Sequence, residues 1–120
     1  MIFTKQEIPG VCLVERRPFK DDRGSFSRLF CKQMLKDSGV DFEIDQINFS
    51  INAQQHTLRG FHIQKGKHSE SKFFTVVAGA IYDVVIDLRP DSPTYLKWSA
   101  FELKKEKDVG LIIPKGCYFP

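Results

Sequence analysis

His62 lies in Leu58-Arg59-Gly60-Phe61-His62-Ile63-Gln64, where period-two spacing puts Gly60 and Gln64 on its own face. An imidazole between a vacant neighbour and an amide has room to work on a ligand. Asp83 and Lys72, on other extended segments, widen the same chemistry. An imidazole near a carboxylate is a serviceable general base close to neutral pH, and an ammonium nearby can stabilise a developing enolate oxygen. The row Gln46, Asn48 and Ser50 adds small hydrogen-bonding groups along a neighbouring stretch. In a domain this small, so many aligned polar side chains point to a lined pocket. A histidine that is simply satisfied or solvent-facing is the plainer alternative.

Other chemistries fit less well. His62, His68 and Glu70 resemble a scattered metal-ligand set, but a closely spaced His pair is missing and Lys65-Gly66-Lys67 puts positive charge among them. No Ser or Cys sits in an activating context for nucleophilic catalysis, and Gly24, Gly60 and Gly79 form no phosphate-cradling loop. The turn Asp22-Arg23-Gly24-Ser25-Phe26 sets a guanidinium beside an aromatic ring. It reads either as a surface turn whose Arg pairs with an acid, or as a phosphate-holding Arg with a base stacked on Phe26 or Phe19. Lys65, Lys67 and Lys72, like Lys104, Lys105 and Lys107, read first as solvated turn charges.

Short strands must position these groups. Val11 to Val14 predicts a first strand, Phe19 to Gly24 a charged turn, and Phe26 to Phe30 a second alternating run. One helix is predicted around Lys32 to Ser38, stopped by Gly39. Ile44 to Asn52 alternates cleanly, Ile47, Phe49 and Ile51 against Gln46, Asn48 and Ser50, and predicts a strand. Phe73 to Val77 and Ile81 to Leu88 form a hairpin through Ala78-Gly79-Ala80. In its second arm Tyr82, Val84, Ile86 and Leu88 make an apolar face opposite Asp83, Val85 and Asp87. Pro90-Asp91-Ser92-Pro93 is a turn, followed by strands over Tyr95 to Leu103 and Val109 to Ile113. Such spacing indicates an all-β sandwich or jelly-roll barrel with one short helix.

Bulk composition narrows the class. The 120 residues make one domain, and 42% hydrophobic residues with eleven Phe supply a core, so disorder is not expected. A net charge of +3 with both signs interspersed suits a small anionic ligand and gives no case for nucleic acid. Cys12, Cys31 and Cys117 are odd in number and widely spaced, and with no secretory or membrane-spanning run they predict reduced thiols in a cytoplasmic protein.

The motifs Asp22-Arg23-Gly24, Gln46-Ile47-Asn48, Leu58 to Gln64, Tyr82 to Arg89, Asp91-Ser92-Pro93-Thr94, Trp98 and Ile113-Pro114-Lys115-Gly116 stand in an order that covers nearly the whole chain. In this the sequence resembles the dTDP-4-dehydrorhamnose 3,5-epimerase family of nucleotide-sugar epimerases, which are cupin-like jelly-roll dimers. The resemblance implies a single cupin-like domain over residues 1–120 that removes a proton beside the ketone of a nucleoside-diphosphate 4-keto-6-deoxy sugar. His62 matches the general base, Lys72 the residue assisting the enolate, and Asp83 the acidic strand position near the base. Arg59, Gln46 and Asn48 match substrate-contacting positions. Arg23, Phe26 and Phe19 match residues that hold the nucleotide diphosphate, reaching in from the neighbouring subunit of a homodimer. No metal or other cofactor is implied, nor a nucleic-acid or membrane partner.

Departures from the family pattern are Arg28 in place of an acid, Glu70 in place of a Gln, and Phe119 where a later His is expected. Relatives continue past that point with a Tyr acid and an Asp supporting the base, so the fold is expected to be incomplete at its C-terminus relative to theirs. A 3-epimerase, a 3,4-ketoisomerase of a related nucleotide sugar and a non-catalytic nucleotide-sugar-binding barrel are the alternatives.

Overall fold

The computed structural model describes residues 1–119. A four-stranded antiparallel sheet in the order β1-β2-β8-β5 faces a three-stranded sheet in the order β7-β6-β9. The strands are β1 (Ile2–Lys5), β2 (Cys12–Glu15), β5 (Lys72–Thr75), β6 (Ala80–Asp87), β7 (Trp98–Lys104), β8 (Val109–Ile113) and β9 (Cys117–Tyr118). A separate hairpin pairs β3 (Phe19–Asp21) with β4 (Gly24–Phe26), and the one helix, α1, spans Lys32–Asp37. This is the expected all-β jelly-roll architecture with a single short helix.

Period-two alternation on β2 and β8 explains how one sheet serves two cores. Val11, Leu111 and Ile113 look toward the second sheet and pack with Ile8, Val76, Val85, Leu103 and Cys117. Cys12, Val14 and Ile112 look the other way and are covered by Leu35 of α1, with Phe3, Phe42 and Phe73 around them. Burial on both faces explains the uninterrupted apolar run Leu111-Ile112-Ile113. Gly110, within β8, leaves space for the Phe73 ring: a Cβ there would lie 2.5 Å from its Cε2 atom. The helix stops as its sequence predicts. Ser38 Oγ donates to the Leu35 carbonyl at 2.7 Å, and Gly39 takes a φ of +70°.

Several expectations are corrected. The predicted strand Ile44 to Asn52 does not form. Its backbone has no ladder partner among the described residues, and alternation makes a strand only where a neighbour satisfies the amides; Ile47, Phe49 and Ile51 are 84%, 73% and 75% exposed. Leu58 to Gln64 is likewise no strand beyond one bridge at His62. The run predicted over Phe26 to Phe30 ends at Phe26, and the charged turn Phe19 to Gly24 is largely the β3–β4 hairpin. β7 begins at Trp98 because Tyr95 and Lys97 donate backward to Ser92 and Thr94 carbonyls and prolong the turn. The hairpin expected through Ala78-Gly79-Ala80 does not form either: β5 pairs with β8 and β6 with β7 and β9, so that turn carries the chain from one sheet to the other. β1 and β9 were not predicted from the sequence.

The turn after β6 is built on Asp87, which is fully buried. Arg89 Nε and Nη2 each donate to its carboxylate at 2.8 Å, with Ser92 Oγ at 2.5 Å and Thr94 Oγ1 at 2.6 Å. Burial alone would raise this carboxyl, but the hydrogen bonds from Arg89, Ser92 and Thr94 outweigh it and hold the group well below the usual carboxylate range. Gly116, at φ +83°, lets the next turn close over the same Arg89, since a Cβ there would sit 2.6 Å from Arg89 Cγ. The Asp87→Asn variant is expected to lose about 3 kcal/mol in urea unfolding at neutral pH, because it strands the guanidinium. The depressed folded value fixes the sign with pH: this stabilisation is full above about pH 4 and disappears as pH falls below it. The gap between wild type and Asp87→Asn should therefore narrow in acid.

Candidate active site

β5 carries Lys72 and Phe74 on one face and Phe73 on the other. Phe73 joins the core under α1 and Phe74 the core between the sheets, so Lys72 looks into the interlayer space. On β6 the face holding Val85 is the one packed inward, so Asp83 and Asp87 are buried and the aromatic Tyr82 is 69% exposed. Lys72 and Asp83 thus look into the same space from facing sheets. The two-Asp face, the more polar by sequence, is the inner one.

His62 reaches this region through a two-way backbone pairing. Its N–H donates to the Phe119 carbonyl at 2.8 Å, and the Phe119 N–H donates back at 3.2 Å. The imidazole and the Phe119 ring are 6.1 Å apart between centroids, the Phe74 ring is 5.8 Å from Phe119, and Lys72 Nζ lies 5.4 Å from the Phe119 centroid. Phe119 therefore lies in a pocket of about 530 Å³ that Phe61, His62, Gln64, Glu70, Lys72 and Tyr118 also line. Lys72 forms an ion pair with Glu70. His62 is exposed.

Asp83 is 1% exposed and its Oδ1 has no hydrogen-bond partner. Desolvation pushes its carboxyl up to about 6. It lines a wider cleft, about 3020 Å³, that also takes in His62, Lys72, Gln46, Asn48 and Arg59. Gln46 and Asn48 stand on the unpaired extended segment, and Arg59 Nε donates to Asn52 Oδ1 at 2.7 Å. Arg23, Phe19 and Phe26 line neither cavity. They stand on the β3–β4 hairpin, with Phe19 and Phe26 68% and 74% exposed and Arg23 paired to Asp21 at 2.7 Å.

Sequence reasoning did not identify Phe119 as a pocket residue or Glu70 as the partner of Lys72. The Glu-Ser-Lys spacing, two residues apart at the start of β5, was the signal for the latter. His62, His68 and Glu70 do not gather; among the described residues no three His, Cys, Asp or Glu side chains form a metal-binding group. Also among the described residues, no helix is long and apolar enough to cross a membrane.

The arrangement offers an imidazole and an ammonium beside an aromatic ring, with a buried acid in the adjoining cleft. That set can take a proton from carbon and hold the oxyanion that results. Because Asp83 has a raised folded value, its stabilising protonated form is complete below about pH 4 and is lost as pH rises through about 6. Relative to Asp83→Asn, the wild type should lose about 3 kcal/mol of unfolding free energy between about pH 4 and about pH 8. Urea titrations across that range check this; equal slopes for the two proteins would refute it.

Residues 5–118 match the family model described as dTDP-4-dehydrorhamnose 3,5-epimerase. A Sinorhizobium fredii protein of that name is 37% identical over 116 residues, 97% of this chain and 60% of its own length. The chain thus spans about 60% of that curated relative. Among solved structures, the Bacillus anthracis dTDP-4-dehydrorhamnose 3,5-epimerase with TDP and PPi bound superposes with a TM-score of 0.94 at 37% identity, covering 98% of this chain and 67% of that one. The Legionella pneumophila dTDP-6-deoxy-D-glucose-3,5-epimerase, in complex with dTDP-4-keto-L-rhamnose, gives 0.89 at 30% identity, covering 98% and 62%.

Proposed function

The chain belongs to the dTDP-4-dehydrorhamnose 3,5-epimerase family, and we propose that it acts on a nucleoside-diphosphate 4-keto-6-deoxy sugar by moving protons on carbon beside the ketone. The observation that supports this most directly is the shared pocket of His62 and Lys72. In this reading the imidazole removes a proton from the carbon next to the carbonyl. The C–H electron pair becomes the new C=C bond, and the carbonyl electrons move onto oxygen, where the Lys72 ammonium faces them. Return of a proton from water to the opposite face inverts the carbon, and the imidazolium of His62 gives its proton to solvent to restore the base. Asp83, the buried acid of the adjoining cleft, keeps a protonated fraction near neutrality and supports the charge balance of the site.

Gln46, Asn48 and Arg59 are proposed to line the sugar end, and Arg23 with Phe19 and Phe26 to hold the diphosphate and base. A homodimer accounts for the last three, which in one chain stand outside the cleft: a partner would bring its own hairpin to the neighbouring site. The bare apolar row Ile47, Phe49 and Ile51 also favours pairing between copies. A cytoplasmic setting fits three cysteines that form no disulfide.

Incubation with a dTDP-4-keto-6-deoxy sugar in deuterated water, followed by NMR, tests the chemistry. Deuterium should enter at C3 and C5, and His62→Ala should slow entry by about 10²–10⁴-fold. Entry at C3 alone would make it a 3-epimerase, carbonyl migration a ketoisomerase, and tight binding without exchange a binding protein. Arg23→Ala should raise KM roughly tenfold while exchange at saturation stays within about twofold. An unchanged KM would remove Arg23 from the ligand site.

A further inference from the structure

Lys72 is held from two sides. Its ammonium stands 5.4 Å from the Phe119 ring centroid and is paired with the Glu70 carboxylate. Glu70 is itself held: turned with its amide nitrogen toward them, Gln64 donates to Glu70 Oε1 at 3.0 Å and to the His68 carbonyl at 2.6 Å. All three polar side chains line the His62 pocket. The arrangement is a relay in which a backbone carbonyl fixes Gln64, Gln64 fixes Glu70, and Glu70 fixes Lys72.

We propose that Glu70 is a positioning residue that holds the Lys72 ammonium in the pocket beside His62, with Gln64 fixing Glu70 in turn. This rests on the reading of Lys72 as the cation that meets the enolate oxygen. A lysine is a point charge on a flexible four-carbon stem, and it stabilises a developing oxyanion only while it is held where that charge appears. Lys72 and Glu70 side chains are 29% and 40% exposed, so solvent screens much of their attraction and the pair contributes through geometry more than through energy. An ammonium carries three N–H donors. The bond to Glu70 occupies one and leaves the others for a ligand.

The test compares Glu70→Ala, Glu70→Gln and Gln64→Ala with the wild-type chain, all checked for folding by circular dichroism. Steady-state deuterium exchange on a dTDP-4-keto-6-deoxy sugar is one readout. Acetylation of Lys72 in the ligand-free protein, followed by mass spectrometry, is the other and needs no catalysis. Glu70→Ala should lower kcat by roughly tenfold with KM within about twofold, and should speed Lys72 acetylation by about threefold. Glu70→Gln keeps an acceptor oxygen and should recover at least about half of kcat. Gln64→Ala should shift both readouts in the same direction by less.

Wild-type kcat and acetylation in Glu70→Ala would overturn the proposal, as would a Glu70→Gln variant as impaired as Glu70→Ala. If wild type exchanges no deuterium, the epimerase reading fails, and the acetylation rates alone still decide whether Glu70 holds Lys72. Should Glu70→Ala not fold, the acetylation rate of Gln64→Ala decides: faster than wild type supports the relay, equal overturns it.

Discussion

Two backbone hydrogen bonds between His62 and Phe119, at 2.8 and 3.2 Å, give the candidate site its form. They are the sole long-range backbone pairing of the segment between α1 and β5 among the described residues. That segment keeps most of its side chains in water. At His62 it is caught by the chain just after β9, and the catch puts the imidazole, the Phe119 ring and Lys72 into one pocket. β9 is itself short, pairing with β6 only through Ile86 with Tyr118 and Asp87 with Cys117. The position of the histidine is therefore passed along from β6, whose end is set by the network around Asp87.

The inner face of β6 shows how two identical side chains acquire different roles. Asp83 and Asp87 are four residues apart and both buried. Asp87 collects donors from Arg89, Ser92 and Thr94 and ends as a locked carboxylate. Asp83 leaves an oxygen unpartnered and is pushed toward neutrality. A satisfied buried charge organises a turn, whereas an unsatisfied one costs stability. Arg16 is a third buried ionisable group. It bonds to Thr75 and, through its backbone N–H, to the Asp108 carbonyl at 2.8 Å, joining the end of β2 to β5 and the turn before β8.

Legibility in the sequence followed the locality of each cause. α1 was readable because Gly39 stops it from within, and β6 and β8 because their own residues carry the alternation or the doubly buried run. The hairpin β3–β4 was half readable, since its charged turn lies between two Phe that pair across it. β1 and β9 were not, because a four-residue edge strand and a two-residue strand carry too little pattern and exist through their partners. Ile44 to Asn52 misled for the same reason: alternation records two faces, and no neighbour within the described chain makes use of them. Lys72 and His62 were singled out as candidates by residue type and family resemblance. That both line one pocket with Phe119 depended on β9, and the burial of Asp83 on which face of β6 turned inward.

The register between β2 and β8 has a consequence for how the molecule comes into being. Cys12 faces Ile112 and Val14 faces Gly110, so the central neighbour of β2 is specified about a hundred residues later. At roughly 5–20 residues per second on a ribosome, β2 waits on the order of 5–20 s for the strand that completes its ladder. Throughout that interval Val11, Cys12 and Val14 have no β8 to cover them. Nascent β1 and β2 can form little more than a two-stranded ribbon, which is marginal in water. The sandwich cannot close until β8 has been made, and β2 is most open to wrong pairing before then.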